Sequence, residues 1–595
     1  MLKKLIFLLA VLLAAPLSAN AQGNIPDGNY RLALITNPSS EQTMALIKIE
    51  TKDGKQTGTL LAAPPRSQMA LKEFKSNGKE VVIGLSNGLT FTSANAGADK
   101  SVLGSFVADS FAYRGKLTPT DKEELAANDM MVRVTVPQAF SQAMTLSNKP
   151  MQLRFQVQQE KDADKKKELQ EKMAEAQKEA DEKVAGLYKE VIEKDSDSPV
   201  ALDAANNLLG MASKAKVDIA EAGKLVKMIE AKARPFGPGY VRFAVMQAAN
   251  TLLRQKGLES VALDVLEPIY KDLSEKTPAS QQQPILASYV QALKAGNRTS
   301  ELKTVEARLE KVEGELDREY LATVPPFKPA KYSGRKESEA NQVAVLELFT
   351  GAQCPPCVAA DVAFDALEKA YSHKDLVLIQ YHMHIPGPDP LTNRDTEARF
   401  KYYQKHFAGE IRGTPSTLFN GKSAAGGGGG MANSEVKFKE YSNLINPILE
   451  KTTPIKVNGT ASRSGDKIDI NVDVYGAEGN DDLKLRLIVV EESIKYVGGN
   501  KLRFHHQVVR AMPGGAEGIA IKDKNFKHHE TADVSKIRAE LTKYLDDYAA
   551  NRPFPNTNRP LDMKNLKVIA IVQNDKNAEI LQAIQLDVDG KVAAK

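Results

Sequence analysis

Tryptophan is absent from this 595-residue chain, and cysteine nearly so: Cys354 and Cys357 are the only two. So few cysteines exclude a disulfide-built scaffold. They also exclude a lipid anchor on cysteine, since none stands near the N-terminus. An excess of one charge is lacking too. The formal net charge is +5, and +3 without Lys3 and Lys4, which gives no argument for nucleic acid. Beyond the N-terminus no long uncharged apolar run occurs, so no integral membrane segment is expected once the leader is removed. That leader is complete in its parts. Lys3 and Lys4 form a basic start, Leu5 to Leu17 an apolar core, and Ala19-Asn20-Ala21 a small-x-small cleavage site. Residues 1–21 therefore read as an export signal, and the expected location is the periplasm or cell envelope of a bacterium.

What the chain does have is Cys354-Pro355-Pro356-Cys357, between a strand-like run (Val343 to Phe349) and a helix-like one (Val358 to Tyr371). A Cys-x-x-Cys at such a junction can exchange electrons by forming and opening one disulfide. With Cys354 as N-cap, both prolines fall in the first turn, where their missing N–H groups cost nothing. The amides of Cys357 and Val358 are then expected to point at the Cys354 sulfur and, with the helix dipole, to favour its thiolate. Cys354 would be the more exposed, attacking sulfur and Cys357 the resolving one. Two other readings stay open. One is an inert staple, although so short a loop constrains the unfolded chain little. The other is half of a metal site, which needs further ligands.

Along the chain, residues 24–120 alternate apolar and polar between turn signals and read as an N-terminal β domain. Residues 155–320 read as an α-helical hairpin region. There Leu169, Met173, Ala176, Ala180, Leu187 and Val191 keep a helical stripe, and Glu168–Lys172 and Glu179–Lys183 sit at i,i+4. Residues 323–341 read as a linker, 342–452 as a redox domain, and 453–595 as an antiparallel β-sandwich. The fold class is multidomain α+β.

The redox segment runs strand, Cys-Pro-Pro-Cys, helix, strand (Leu376 to His382), helical insertion, then Gly413-Thr414-Pro415 entering another strand. This order resembles the secreted thioredoxin-like thiol–disulfide oxidoreductases. The resemblance implies a thioredoxin-like α/β domain, and a cis-proline at Pro415 facing the cysteines. It also implies that Thr414 binds an extended substrate through its backbone. Substrates would be protein thiols or disulfides, served by a redox partner protein, with no cofactor. The 453–595 segment resembles the Ig-like module that follows such domains in some bacterial envelope proteins. Two positions depart from the family. Gln353 stands where tryptophan usually precedes the first cysteine, and Leu348 stands where a buried acid is usual. Glu347, one residue earlier, could assist proton transfer to Cys357 only if the strand bulges.

His382 and His384 lie two apart, hence on one face of a strand continued through both. An imidazolium there would lower the Cys354 pKa. Alternatively two thiolates and His384 would suit Cu(I) or Zn(II), giving a copper- or zinc-handling protein as the second reading. A third is an envelope binding or assembly protein with a vestigial thioredoxin domain. His505 and His506, being adjacent, face opposite sides of a strand and read as structural.

Overall fold

A computed structural model describes residues 25–592 apart from 66, 68, 78–79, 87, 97–99, 109–110, 161, 479–481 and 557. The expected export signal lies outside these residues. The chain is a multidomain α+β protein of two compact units, one reaching Leu316 and the other starting at Asp317.

In the first unit β1 (Gly28–Asn37), β2 (Ser40–Lys52), β3 (Lys55–Ala62), β4 (Leu71–Ser76), β5 (Val81–Leu85), β6 (Thr90–Ala96), β7 (Val102–Ala108), β8 (Phe111–Pro119) and β9 (Met131–Arg133) form one sheet. Its order is β3-β2-β1-β8-β7-β6-β5-β4, with β9 on β2. Alternation along β1 sends Tyr30, Leu32 and Leu34 into a core with Phe91, Phe106 and Leu117.

The helices α1 (Gln138–Gln159), α2 (Ala163–Lys194), α3 (Ala201–Gly210), α4 (Ala212–Ala215), α5 (Ile219–Ala233), α6 (Pro238–Leu252), α7 (Glu259–Lys271), α8 (Ala279–Ala295) and α9 (Thr299–Thr323) follow. Asp162 caps α2 by accepting the amides of Asp164 and Lys165. Ala176, Ala180, Val184, Tyr188 and Val191 bury one face of α2. Leu169 and Met173, earlier on the same stripe, are only half-buried. On the wet face Glu168–Lys172 close at 2.6 Å and Glu179–Lys183 at 2.9 Å, exposed pairs that water and salt screen heavily.

The second unit contains β10 (Ala344–Thr350), α10 (Val358–Ala370), β11 (Leu376–His382), α11 (Arg394–His406), β12 (Ser416–Phe419), β13 (Lys422–Ser423) and α12 (Ser434–Leu449). After them come β14 (Lys456–Gly465), β15 (Lys467–Tyr475), β16 (Leu483–Lys495), β17 (Phe504–Ala511), β18 (Ile519–Ala520), β19 (Asn525–Asp533), α13 (Val534–Asn551), β20 (Leu566–Asn574) and β21 (Glu579–Val592). β10 and β11 run parallel and β12 antiparallel to β10. Leu346, Leu348, Leu376 and Leu378 face α10 and α12. Val345, Phe349, Ile379 and Tyr381 face the other way, onto Phe400 and Tyr403 of α11. The apolar runs are continuous because both faces are covered.

The segment expected to be a separate sandwich shares this sheet and this core. The order β13-β12-β10-β11-β17-β16-β20-β21-β14-β15-β19 is unbroken, and β11 meets β17 in parallel at Gln380–Val508. Ile488, Val490, Ile569 and Ile571 fill the same core as Val345 and Tyr381. Alternation marks a half-buried strand but not the edge on which it pairs. The expected linker is likewise tied down. Phe327 packs on Phe438 at 5.5 Å, Tyr332 stacks on Tyr371 at 5.0 Å, and Arg335 donates to the carbonyl of Gln342 at 2.9 Å.

Candidate functional site

After β10 the chain turns at Gly351-Ala352-Gln353, where the Cys354 amide donates to the Gly351 carbonyl at 3.0 Å. Pro355–Cys357 form one 3-10 turn before α10, with both prolines in that first turn. Cys354 and Cys357 are joined as a disulfide with Cα atoms 5.3 Å apart. The amides expected to point at the sulfur do not. The Cys357 N–H donates to the Cys354 carbonyl at 3.1 Å and the Val358 N–H to that of Pro355, because a 3-10 turn closes i to i+3. Both cysteines are buried, Cys354 at 1% exposure and Cys357 at 0%.

Three segments enclose the pair. The Thr414–Pro415 bond is cis, and the Thr414 hydroxyl donates to Cys354 Sγ at 3.4 Å, with its carbonyl oxygen 3.8 Å from that sulfur. The glycine run lies over the turn: the Gly429 amide donates to the Pro356 carbonyl at 2.7 Å, and the Ala359 amide to that of Gly429 at 2.9 Å. A Cβ on Gly428 would strike the Pro356 carbonyl oxygen, so only glycine allows this approach. From the other side the β16–β17 connection sits on the residues before Cys354. Asn500 N donates to Ala352 O at 3.0 Å and Gly499 N to Gln353 Oε1 at 3.0 Å.

Glu347 is not part of this site. The β10–β11 register is regular through Glu347–Ile379, so there is no bulge, and its side chain faces away from α10. It is buried against Arg399, which donates from Nε at 2.9 Å and Nη2 at 3.1 Å. The two histidines also part company, because β11 ends at His382 and the period of two stops there. His382, buried, pairs through Nδ1 with Asp389 Oδ2 at 2.8 Å and through Nε2 with Gln380 Oε1 at 3.1 Å. Burial would raise the Asp389 carboxyl, but the His382 ring and the amides of Leu391 and Ala352 hold it below its ordinary value.

His384 turns instead to an aromatic cluster. Its Nδ1 accepts the Asp389 amide at 2.9 Å, so Nε2 carries the proton and donates to the Tyr544 hydroxyl at 3.1 Å. The ring stacks on Tyr548 at 3.6 Å. With both nitrogens engaged it is not a free ligand. Among the described residues no group of three His, Cys, Asp or Glu side chains is placed to hold a metal. Burial pulls the His384 pKa down to about 4, with Asp389 opposing and Arg552 adding to the fall. The unfolded ring takes its proton near pH 6.5, so between the two values the unfolded chain binds more protons. Stability should therefore fall by about 2–3 kcal/mol as pH drops from about 6.5 to about 4. In His384→Phe, denaturation across that window should show a shallower slope. A folded-state His384 titrating near 6.5 by NMR would contradict this.

His505 and His506 do face opposite ways: His505 bonds the Tyr496 carbonyl at 3.0 Å and His506 the Glu368 carboxylate at 2.9 Å. Sequence reasoning passed over Arg399, whose helix carries no marker of a buried cation.

No protein-family model and no curated protein matches the chain. Among solved structures, HBP35 of Porphyromonas gingivalis aligns with 17% identity and a TM-score of 0.30, over 44% of this chain and 79% of its own. The Agrobacterium tumefaciens protein AGR_C_4864 aligns with 16% identity and a TM-score of 0.28, over 43% of this chain and 98% of its own. Among the described residues no helix is long and apolar enough to cross a membrane.

Proposed function

We propose that this chain is an exported, thioredoxin-like thiol–disulfide oxidoreductase acting on protein thiols or disulfides in the bacterial periplasm or envelope. The observation that carries the reading is the Cys354–Cys357 disulfide at the start of a helix, with Thr414, the residue before cis Pro415, against its sulfur. A partner thiolate would attack Cys354, giving a mixed disulfide, and Cys357 would resolve it. Thr414 would hold the partner's extended backbone. Cys354→Ser should abolish exchange with a reduced or oxidised protein substrate, and Cys357→Ser should accumulate mixed disulfides on gels run without reductant. Wild-type protein giving neither exchange nor, as Cys357→Ser, trapping would sink the reading.

The burial of Cys354 favours one alternative, a binding or assembly protein in which the disulfide no longer turns over. A double Cys354→Ser, Cys357→Ser variant retaining full function in the cell would support that alternative. The copper or zinc reading loses support because His384 is committed to Asp389 and Tyr544.

A further inference from the structure

Consecutive residues of a strand face opposite sides, yet His506 and Gln507, both in β17, bond one carboxylate. His506 Nδ1 donates to Glu368 Oε2 at 2.9 Å, and Gln507 Nε2 to Glu368 Oε1 at 2.6 Å. The alternation breaks at Gln507, whose φ of +51° lies in the left-handed region that residues other than glycine seldom adopt. Gln507 is 3% exposed, and with Nε2 taken by the carboxylate its Oε1 has no hydrogen-bond partner among the described residues. A carboxylate can only accept, so the amide cannot turn round to relieve this. A buried acceptor left unpaired bears the whole of its desolvation penalty, and such atoms are uncommon in folded proteins.

Gln507 lines a cavity of about 200 Å³ at the C-terminal end of α10, together with Glu368, Tyr371, His373, Glu492 and Gln585. Drug-sized ligands need about 300–1,000 Å³, so an occupant here has few atoms. The cavity is rich in acceptors: the Glu368 and Glu492 carboxylates, and the Tyr371 oxygen, whose proton goes to Asn446 at 2.8 Å. Burial would raise the Glu368 carboxyl, but His506 and Gln507 hold it below its ordinary value, so it is an anion at neutral pH. Burial opposes the charge on His506 too, but Asp365 and Glu368 lift its pKa to about 9. That one cation is shared between Glu368 at 2.9 Å and Asp365 at 3.6 Å. Lys369 turns away to the Val324 carbonyl at 3.2 Å. Lys567 is 4.0 Å from Glu492 and nearer to Asp587, at 2.9 Å. Carboxylates thus outnumber cations, and the C-terminal end of a helix adds to the negative potential.

We propose that this cavity binds a small organic cation with N–H donors, a guanidinium or ammonium head that pairs with Gln507 Oε1 and the Glu368 and Glu492 carboxylates. A positive charge answers the surplus of carboxylates, and the N–H groups answer the orphan oxygen. Glu368 lies eleven residues beyond Cys357 on α10, about 16 Å along the axis. The occupant therefore does not touch the disulfide, and the site stands whether or not that disulfide turns over. The same head is carried by free amines and by arginine or lysine side chains of a protein, and the experiment separates these sources.

Calorimetric titration of the full chain with methylguanidinium reads the binding directly, and saturation in the millimolar range or below is expected. Tetramethylammonium has the same charge but no N–H donor, and should bind at least about tenfold more weakly. Gln507→Leu and Glu368→Gln should each weaken methylguanidinium at least about tenfold. Glu492→Gln, at the half-exposed rim, should weaken it severalfold, which keeps the test open if the buried variants fold poorly. Agmatine binding more tightly than an arginine-containing peptide would assign the site to a free cation, and the reverse order to a protein side chain. No saturable binding of methylguanidinium, equal binding of tetramethylammonium, or affinities unchanged in the folded variants would overturn the proposal and leave water as the partner of Gln507.

Discussion

Arg399→Met is expected to cost the second unit about 3–5 kcal/mol, the range for removing one member of a buried ion pair. Arg399 and Glu347 are both fully buried. Arg399 also donates to Gln573 Oε1 at 2.8 Å and to the Tyr403 hydroxyl at 2.7 Å, and its guanidinium lies 4.4 Å from the Tyr403 ring centroid. Glu347 accepts the Tyr381 hydroxyl at 3.0 Å and that of Tyr403 as well. Burial alone would lower the Arg399 pKa, but Glu347 more than offsets this and keeps it well above its usual value. Methionine would fill part of the volume and leave a carboxylate with no counter-ion. The double variant Arg399→Met, Glu347→Gln should recover much of the loss, because the stranded charge goes with it. Urea midpoints for the two single variants and the double variant measure both effects. A cost below about 1 kcal/mol would mean that water reaches the pair.

Gly498→Val is expected to open the site. A Cβ on Gly498 would stand 2.7 Å from the Ala352 carbonyl carbon and closer still to its oxygen, two residues before Cys354. The tip must lift, losing the Asn500–Ala352 and Gly499–Gln353 bonds. The disulfide should then be reduced by a small phosphine about tenfold faster, equivalent to about 1.4 kcal/mol of local opening. Overpacking should also lower stability by about 1–3 kcal/mol. An unchanged reduction rate in a folded variant would show that the tip does not shield Cys354.

Where the sequence read well, the signal was local. The i,i+4 pairs of α2, the prolines in the first turn after Cys354, and the strands β10 and β11 are each decided within one or two turns of chain. Thr414 and Pro415 were found through their resemblance to a family loop; the bond between them is cis and Thr414 lies against Cys354. Where it read poorly, partners came from far away. His384 looked like a companion to His382 because the alternating pattern says nothing of α13, which supplies Tyr544 and Tyr548. Glu347 looked like a spare acid because Arg399 is 52 residues distant. The joint core of residues 342–452 and 453–595 was invisible because each part alternates convincingly alone.

That joint core bears on the order in which the chain is made. The Val343 amide, at the threshold of β10, bonds Gln582 Oε1 at 3.0 Å, a partner 239 positions later. Closing contacts of such separation is slow, and the strand that leads to Cys354 lacks its last neighbours until β21 has been synthesised. Both thiols therefore wait, while more than two hundred further residues are made, without a finished fold around them. In a cysteine-rich chain this delay would invite scrambled pairings. Here the scarcity of cysteine removes the hazard, because two cysteines admit one intrachain disulfide and no wrong one.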